Sequence, residues 1–258
     1  MAAERFAGRT VIVTGGGSGI GAETVRRFAA EGATVVAADI NLEAAEQVVA
    51  GVPGCSAVRV DVADPDAVKT FADTVHDRVG AVSVLVNNAH SCTDVDLLTA
   101  SHEQLSRDLN VTLMGPMLIT QSLLGPMIDN GGGVVVNVAS VNGLAWFGNA
   151  AYSAAKAGLV NFTQGLAVEY GNRGVRSVAV APGTIDSPAW DARKRQQPGV
   201  METIGANYPL GRVGTVDDIA NALLWVASDE ASWISGVCLP VEGGILGAHY
   251  EFTRNLPE

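Results

Sequence analysis

Tyr152 and Lys156 stand four residues apart in the run Tyr152-Ser153-Ala154-Ala155-Lys156, which contains no helix breaker. On a helix that spacing puts both side chains on one face, a turn apart. A free phenol loses its proton at a pKa of about 10, too high for an efficient base at neutrality. A neighbouring ammonium, helped by a positively charged ring bound beside it, favours phenolate and moves the group toward the working range. Such a pair can take a proton from an alcohol and return it to a ketone. Ser140 follows the apolar run Val134–Val138, and its hydroxyl can hold a substrate oxygen where charge develops. Far upstream, Thr14-Gly15-Gly16-Gly17-Ser18-Gly19-Ile20-Gly21 joins a β-branched run to a helical pattern. Glycines there let the backbone approach a pyrophosphate, and the helix start offers free N–H groups. Asp39 ends the next apolar run, 18 residues past Gly21. A carboxylate at that point accepts hydrogen bonds from the hydroxyls of an adenosine ribose and repels a 2′-phosphate. Ser18 and Ile40 flank the position and neither is basic, so the residues predict NAD in preference to NADP.

The elements that must hold these groups alternate along the chain. Strands are expected at Thr10–Val13, Thr34–Ala38, Ser56–Val60, Ser83–Val86, Gly133–Val138, Val175–Val180 and Val237–Pro240. Helices are expected at Gly19–Ala30, from an Asn41 cap to Ala50, from Asp64-Pro65 to Val79, over Gln104–Asp129, over Tyr152–Tyr170, and from Thr215 onward. Pro116 lies inside a helical pattern and predicts a kink or break at Gly115-Pro116. Nearly continuous apolar strands alternating with helices imply a parallel sheet covered on both faces. The expected fold is α/β: a single doubly wound Rossmann-type domain with about seven parallel strands. The cofactor half would span about 8–140 and the catalytic and substrate half about 140–250. Residues 185–210 form a long insertion of the kind that serves as a lid.

Composition excludes other classes. Sixteen basic residues against 27 acidic ones give a net charge of −11, and Arg193-Lys194-Arg195 is the only dense basic run, read as a solvated helix face. Nucleic acid is not an expected partner. Cys55, Cys92 and Cys238 are odd in number and widely spaced, so no disulfide framework is indicated. His90 and Cys92 have no second ligand pair at zinc spacing, and no metal is expected. The first residues reach Glu4, Arg5 and Arg9 before a short apolar run, unlike a secretory signal, and the apolar stretches read as too short for a membrane helix. A cytoplasmic protein without a membrane partner is expected.

The full series of motifs resembles the short-chain dehydrogenase/reductase family over about residues 8–245. The glycine loop is similar to that family's cofactor loop, which implies that Gly15, Gly17, Ser18, Gly19, Ile20 and Gly21 cradle the dinucleotide, with Asp39 and Ile40 at the ribose. Asp61-Val62 resembles the pair that contacts adenine, and Asn87-Asn88-Ala89 resembles the motif after the fourth strand. Pro182-Gly183-Thr184, with Ile185, resembles the segment that meets the nicotinamide end. Ser140, Tyr152 and Lys156 match the catalytic serine and the YxxxK motif. The resemblance also implies that Lys156 holds the nicotinamide ribose and that Asn110 positions a water leading from Lys156 to solvent. Four departures stand out: His90 where the motif usually carries Gly, only 12 residues from Ser140 to Tyr152, Val178 for Asn, and Glu242 for Asp.

The substrate wall is expected from His90, Ser91, Cys92, Asn142, Trp146 and the segment with Trp190. His90 reads equally as a hydrogen-bonding or a structural residue, and Trp146 and Trp190 equally as core or subunit-contact residues. Aromatic walls suit a mainly apolar secondary alcohol or ketone as the small-molecule substrate. The expected activity is NAD-dependent interconversion of these two, with Tyr152 as general acid/base. The alternatives are a 3-oxoacyl thioester reductase and, from a different class, a non-catalytic dinucleotide-binding sensor. Wide apolar faces on segments 104–129 and 152–170, with the pairing of corresponding helices in the family, imply a homotetramer.

Overall fold

The β-branched runs become one parallel sheet in the computed structural model, which describes residues 4–247. Strand β1 (Thr10–Thr14) leads into helix α1 (Gly19–Ala30), followed by β2 (Thr34–Asp39), α2 (Leu42–Val49), β3 (Cys55–Arg59), α3 (Pro65–Val79) and β4 (Val84–Asn87). A second half adds α4 (His102–Leu109), α5 (Gly115–Asp129), β5 (Gly133–Val138), α6 (Ala150–Tyr170) and β6 (Val175–Pro182). The chain then runs through β7 (Ile185–Asp186), α7 (Asp191–Gln196), α8 (Val200–Gly205), β8 (Gly214–Thr215), α9 (Val216–Ala227) and β9 (Val237–Val241). The sheet order is β3-β2-β1-β4-β5-β6-β9, and every pairing is parallel. The order reverses between β1 and β4, where a crevice opens beyond the strands' carboxyl ends.

Alternation along each strand feeds two cores. Val11, Val13, Val84, Val86 and Val136 pack with Val25, Phe28, Ile219 and Leu223 of α1 and α9. Ile12, Leu85 and Val135 face the other way, onto Phe71, Ile119, Leu123, Met127 and Leu166 of α3, α5 and α6. Burial on both faces is why these strands read as unbroken apolar runs. Helix starts follow the chemistry of their caps: Asn41 accepts from the Ala44 N–H, Asp64 precedes Pro65, and Ser101 and Thr215 form capping boxes with Gln104 and Asp218.

Three expectations change. Gly115-Pro116 does not break its helix: a π-turn over Asn110–Met114 joins α4 to α5. Proline lacks an N–H and crowds the carbonyl four residues back, and one extra residue in the turn relieves both problems. The resulting rod, His102–Asp129, is long and apolar enough to cross a membrane by composition, contrary to the expectation from the apolar stretches. Here it is the layer helix whose Ile119, Leu123 and Met127 fill the second core. Residues 185–210, expected as a long loop, are structured: β7 pairs with β8 beyond them, and α7 and α8 lie between the two strands.

Candidate active site

The crevice is built from strand ends. After β1 the chain turns through Gly15 at φ 64°, and a Cβ on Gly21 would lie 2.0 Å from the Gly15 carbonyl oxygen, so only glycine permits this loop. Asn88 holds the loop from the end of β4, donating to the Thr14 and Gly15 carbonyls at 3.0 and 3.1 Å. The Thr14 hydroxyl oxygen accepts in turn from the N–H groups of Asn88 and Ala89. Ser18 gives α1 no side-chain cap and its first turn has no acidic residue, which leaves N–H groups for an anion. Asp39 accepts from the Gly17 N–H at 2.9 Å and from the Asn41 N–H at 2.9 Å. Ile40 beside it is exposed and Asp61 half-buried, whereas Val62 is buried against the π-turn, where a Cβ on Gly115 would meet its Cγ2 at 2.7 Å. The narrow glycine cradle, the uncapped helix start and the carboxylate at the end of β2 fit an adenine dinucleotide.

Beyond β5, Ser140 is buried and its oxygen accepts from the Asn142 N–H at 3.2 Å while its hydroxyl donates to Asn142 Oδ1 at 3.2 Å. The Asn142 amide also donates to the Gly148 carbonyl and to Ser153 Oγ, each at 3.1 Å. These bonds close the loop between Ser140 and Tyr152, which ends on Asn149 in the left-handed region at φ 55°. Asn142, expected in the substrate wall, is thus committed to this loop.

Tyr152 and Lys156 share the first turns of α6, with the Lys156 Nζ 5.5 Å from the phenol ring centroid. Lys156 is 2% exposed and donates to the Val138 carbonyl. Desolvation lowers its ammonium to about 7. Desolvation also pushes the Tyr152 phenol above its ordinary value; the hydrogen bond with Ser140 pulls the other way, and Cys92 and Asp108 push it further up. The expected shift toward neutrality combined Lys156 with the charge of a bound nicotinamide; in the chain alone burial sets the direction, and it is upward. His90 lies opposite, its ring centroid 6.1 Å from that of Tyr152 and its Nδ1 3.3 Å from the Asn88 carbonyl oxygen. Its ring reaches solvent, yet the cleft walls crowd it. Desolvation first, and Lys156 second, hold it down at about 4, so it is neutral at pH 7.

Asn110 lies exposed at the start of the π-turn, which packs against α6, and its side chain makes no hydrogen bond among the described residues. The polar side chain that the turn directs inward is Thr112, fully buried. Sequence reasoning also missed Asp108, a buried carboxylate, and Tyr208, whose hydroxyl oxygen accepts from the Thr184 N–H at 2.7 Å. Positions 105, 108, 112, 116 and 119 form one helical stripe, so polar residues at 108 and 112 were the available signal.

Pro182 and Ile185 are buried, Gly183 and Thr184 half-buried, at the mouth beyond β6. Trp146 is 72% exposed on the Ser140–Tyr152 loop. Trp190 is half-buried under the Arg193 guanidinium, which reaches Asp94 at 3.6 Å from its carboxylate across the cleft. A Cβ on Gly19 would meet that of Ser187 at 3.7 Å, so the segment after β6 spans from the glycine loop to the loop after β4.

Residues 15–246 match a family model described as enoyl-(acyl carrier protein) reductase. The chain is 36% identical over 249 residues to a 3-oxoacyl-[acyl-carrier-protein] reductase of Thermotoga maritima, covering 94% of this chain and 99% of that one. It is 35% identical over 243 residues to a meso-2,3-butanediol dehydrogenase of Serratia marcescens, covering 93% and 95%. The crystal structure of a Burkholderia thailandensis oxidoreductase of the short chain dehydrogenase/reductase family superimposes with a TM-score of 0.89 at 38% identity, covering 95% of this chain and 96% of that one.

Proposed function

The chain belongs to the short-chain dehydrogenase/reductase family of oxidoreductases, and from that premise we propose that it interconverts a secondary alcohol and a ketone with NAD(H). The observation that carries this reading is the convergence of Ser140, Tyr152 and Lys156 at the end of β5, beside a cradle that admits a dinucleotide. Gly15, Gly17, Ser18, Gly19, Ile20 and Gly21 would hold the pyrophosphate, Asp39 and Ile40 would meet the adenosine ribose, and Asp61 and Val62 the adenine. Asn88, Ala89, Pro182, Gly183, Thr184 and Ile185 would border the nicotinamide. A bound nicotinamide supplies or accepts the hydride and, when oxidised, adds the positive charge the phenol lacks.

The remaining chemistry belongs to the side chains. Ser140 holds the substrate oxygen with its hydroxyl, turning away from Asn142 Oδ1 to do so. Tyr152 takes the proton of the alcohol during oxidation and returns it during reduction. Lys156 steadies the phenolate and the nicotinamide ribose. His90, Trp146 and Trp190 border a pocket for a mainly apolar substrate.

A 3-oxoacyl thioester reductase is the second reading, favoured by the Thermotoga relative. Such a partner needs free basic surface near the site, yet Arg193 pairs with Asp94, and Lys194 with Asp186 and Asp191. Asp39 favours NAD over the phosphorylated cofactor. We also infer a homotetramer, consistent with the exposed Val168 on α6 and Trp233 beside the edge strand β9. Nicotinamide absorbance, followed over a panel of secondary alcohols, ketones and 3-oxoacyl thioesters with both cofactors, tests the assignment. Turnover restricted to thioesters with NADPH would replace it.

A further inference from the structure

Two polar side chains on the buried stripe of the α4–α5 rod meet the loop that follows β4. Asp108 is 3% exposed, and its carboxylate accepts from the Ser91 hydroxyl at 2.7 Å, the Thr93 N–H at 2.9 Å and the Thr93 hydroxyl at 3.0 Å. Thr112, one turn on, accepts from the Ser91 N–H at 3.0 Å and donates to the Ser91 carbonyl at 2.9 Å. A carboxylate this buried is costly without partners, and Asp108 forms no ion pair among the described residues. The loop alone satisfies it, through charge-assisted bonds that are among the stronger ones. The same loop carries His90, across from Tyr152, and the exposed thiol of Cys92.

We propose that Asp108 is a positioning residue for the substrate wall: by clamping residues 91–93 it fixes His90 and Cys92 beside Tyr152 and so sets which ketones fit. Its effect on substrate rests on the oxidoreductase reading above; the clamp itself does not. The Cys92 thiol reports on it directly. That thiol is pushed up to about 11, by desolvation first, then by Asp108 from the helix and Asp94 from its own loop, with Lys156 from α6 opposing.

Two substitutions separate the bonds from the charge. In Asp108→Asn the remaining oxygen still accepts from the Thr93 N–H, while the Ser91 and Thr93 hydroxyls rotate to accept from the new amide. The clamp persists and the charge is gone. In Asp108→Leu both are lost. The rate of Cys92 alkylation by iodoacetamide, followed by peptide mass spectrometry against pH, should shift to lower pH in Asp108→Asn. In Asp108→Leu it should rise at least about tenfold, the loss expected when a charge-assisted network is removed. Cys55, partly buried on β3, should label at its wild-type rate in both variants. With NADH and 2,3-butanedione as the probe ketone, Asp108→Leu should raise KM far more than it lowers kcat, and Asp108→Asn should restore the wild-type KM. Should Asp108→Leu fail to fold, the pair Ser91→Ala with Thr93→Val removes the two hydroxyl bonds from the loop side, leaves the Thr93 N–H bond and the charge, and should give a smaller acceleration at Cys92 and a smaller rise in KM. Cys92 labelling no faster in Asp108→Leu than in Asp108→Asn, or equal acceleration at Cys55 and Cys92, overturns the proposal. Absence of butanedione turnover in every form would count against the proposed ketone activity, and the labelling would still decide the clamp.

Discussion

Ser140 and Asn142 hold each other in a closed pair: the hydroxyl donates to the Asn142 side-chain oxygen and accepts from its backbone N–H, both at 3.2 Å. The rest of the Asn142 amide ties down Gly148 and Ser153, so one side chain spans the short loop between Ser140 and Tyr152. Asn142→Ala should therefore disorient Ser140 and lower kcat about tenfold, the equivalent of roughly one or two lost hydrogen bonds. NADH affinity, read by fluorescence titration, should be unchanged; a normal kcat would show that Ser140 orients itself.

Tyr152→Phe removes the proton that the proposed reaction moves and little else. Turnover should fall by at least about a hundredfold, in keeping with the loss of a general acid/base. The dissociation constant for NADH should stay within about twofold, since the cradle residues are untouched. Steady-state rates alongside a binding titration check both; full activity in this variant ends the acid/base assignment.

Desolvation makes Lys156 a source of pH-dependent instability. Its amine is held at about 7, against an ordinary value of 10.5. Below about pH 7 both folded and unfolded chains are protonated and the cost of burying the charge is fully present; between about 7 and 10 only the unfolded chain keeps the proton, so the cost fades as pH rises. Lys156→Met should melt higher than the parent near pH 6, with the gap closing toward pH 10. Thermal melts of both proteins across that range provide the comparison. The raised Tyr152 phenol acts in the opposite sense above about pH 10, common to both proteins.

Asp39 accepts from the Gly17 N–H, and in the proposed site it also recognises the adenosine ribose. Asp39→Ala should weaken NADH binding at least about tenfold, through loss of charged hydrogen bonds, and narrow the preference against NADPH. Equal affinity for both cofactors in the parent protein would contradict the assignment of NAD.

Glycine at position 21 is demanded by contact. A Cβ there would sit 2.0 Å from the Gly15 oxygen and 2.6 Å from Asn88 Nδ2. Gly21→Ala should open the loop, destabilise the fold by about 1–3 kcal/mol as overpacking does, and abolish cofactor binding. Denaturant melts and NADH titration of the same sample measure the two effects.

Much of this was legible in the residues. Apolar runs buried on both faces, punctuated by glycines and capped helix starts, specified seven parallel strands and the order of the helices, because strand and helix periodicity are local properties. The spacing of Tyr152 and Lys156 placed them on one face for the same reason. Other features depended on geometry that no local pattern carries. The π-turn over Asn110–Met114 adds a residue to its helix and carries the chain through Gly115-Pro116 without a break.

By itself, then, the sequence determined the architecture, the glycine loop and the placing of Tyr152 and Lys156 on one helix, since each follows from spacing within an element or at a strand end. Tertiary structure alone decided the partners across loops: Asn142 with Ser153, Asp108 with Ser91 and Thr93, Arg193 with Asp94. It also decided that desolvation, not the neighbouring amine, governs Tyr152 in the chain alone. Burial and long-range contact exist only once the sheet and its helices have enclosed the cleft, and no window of residues contains them.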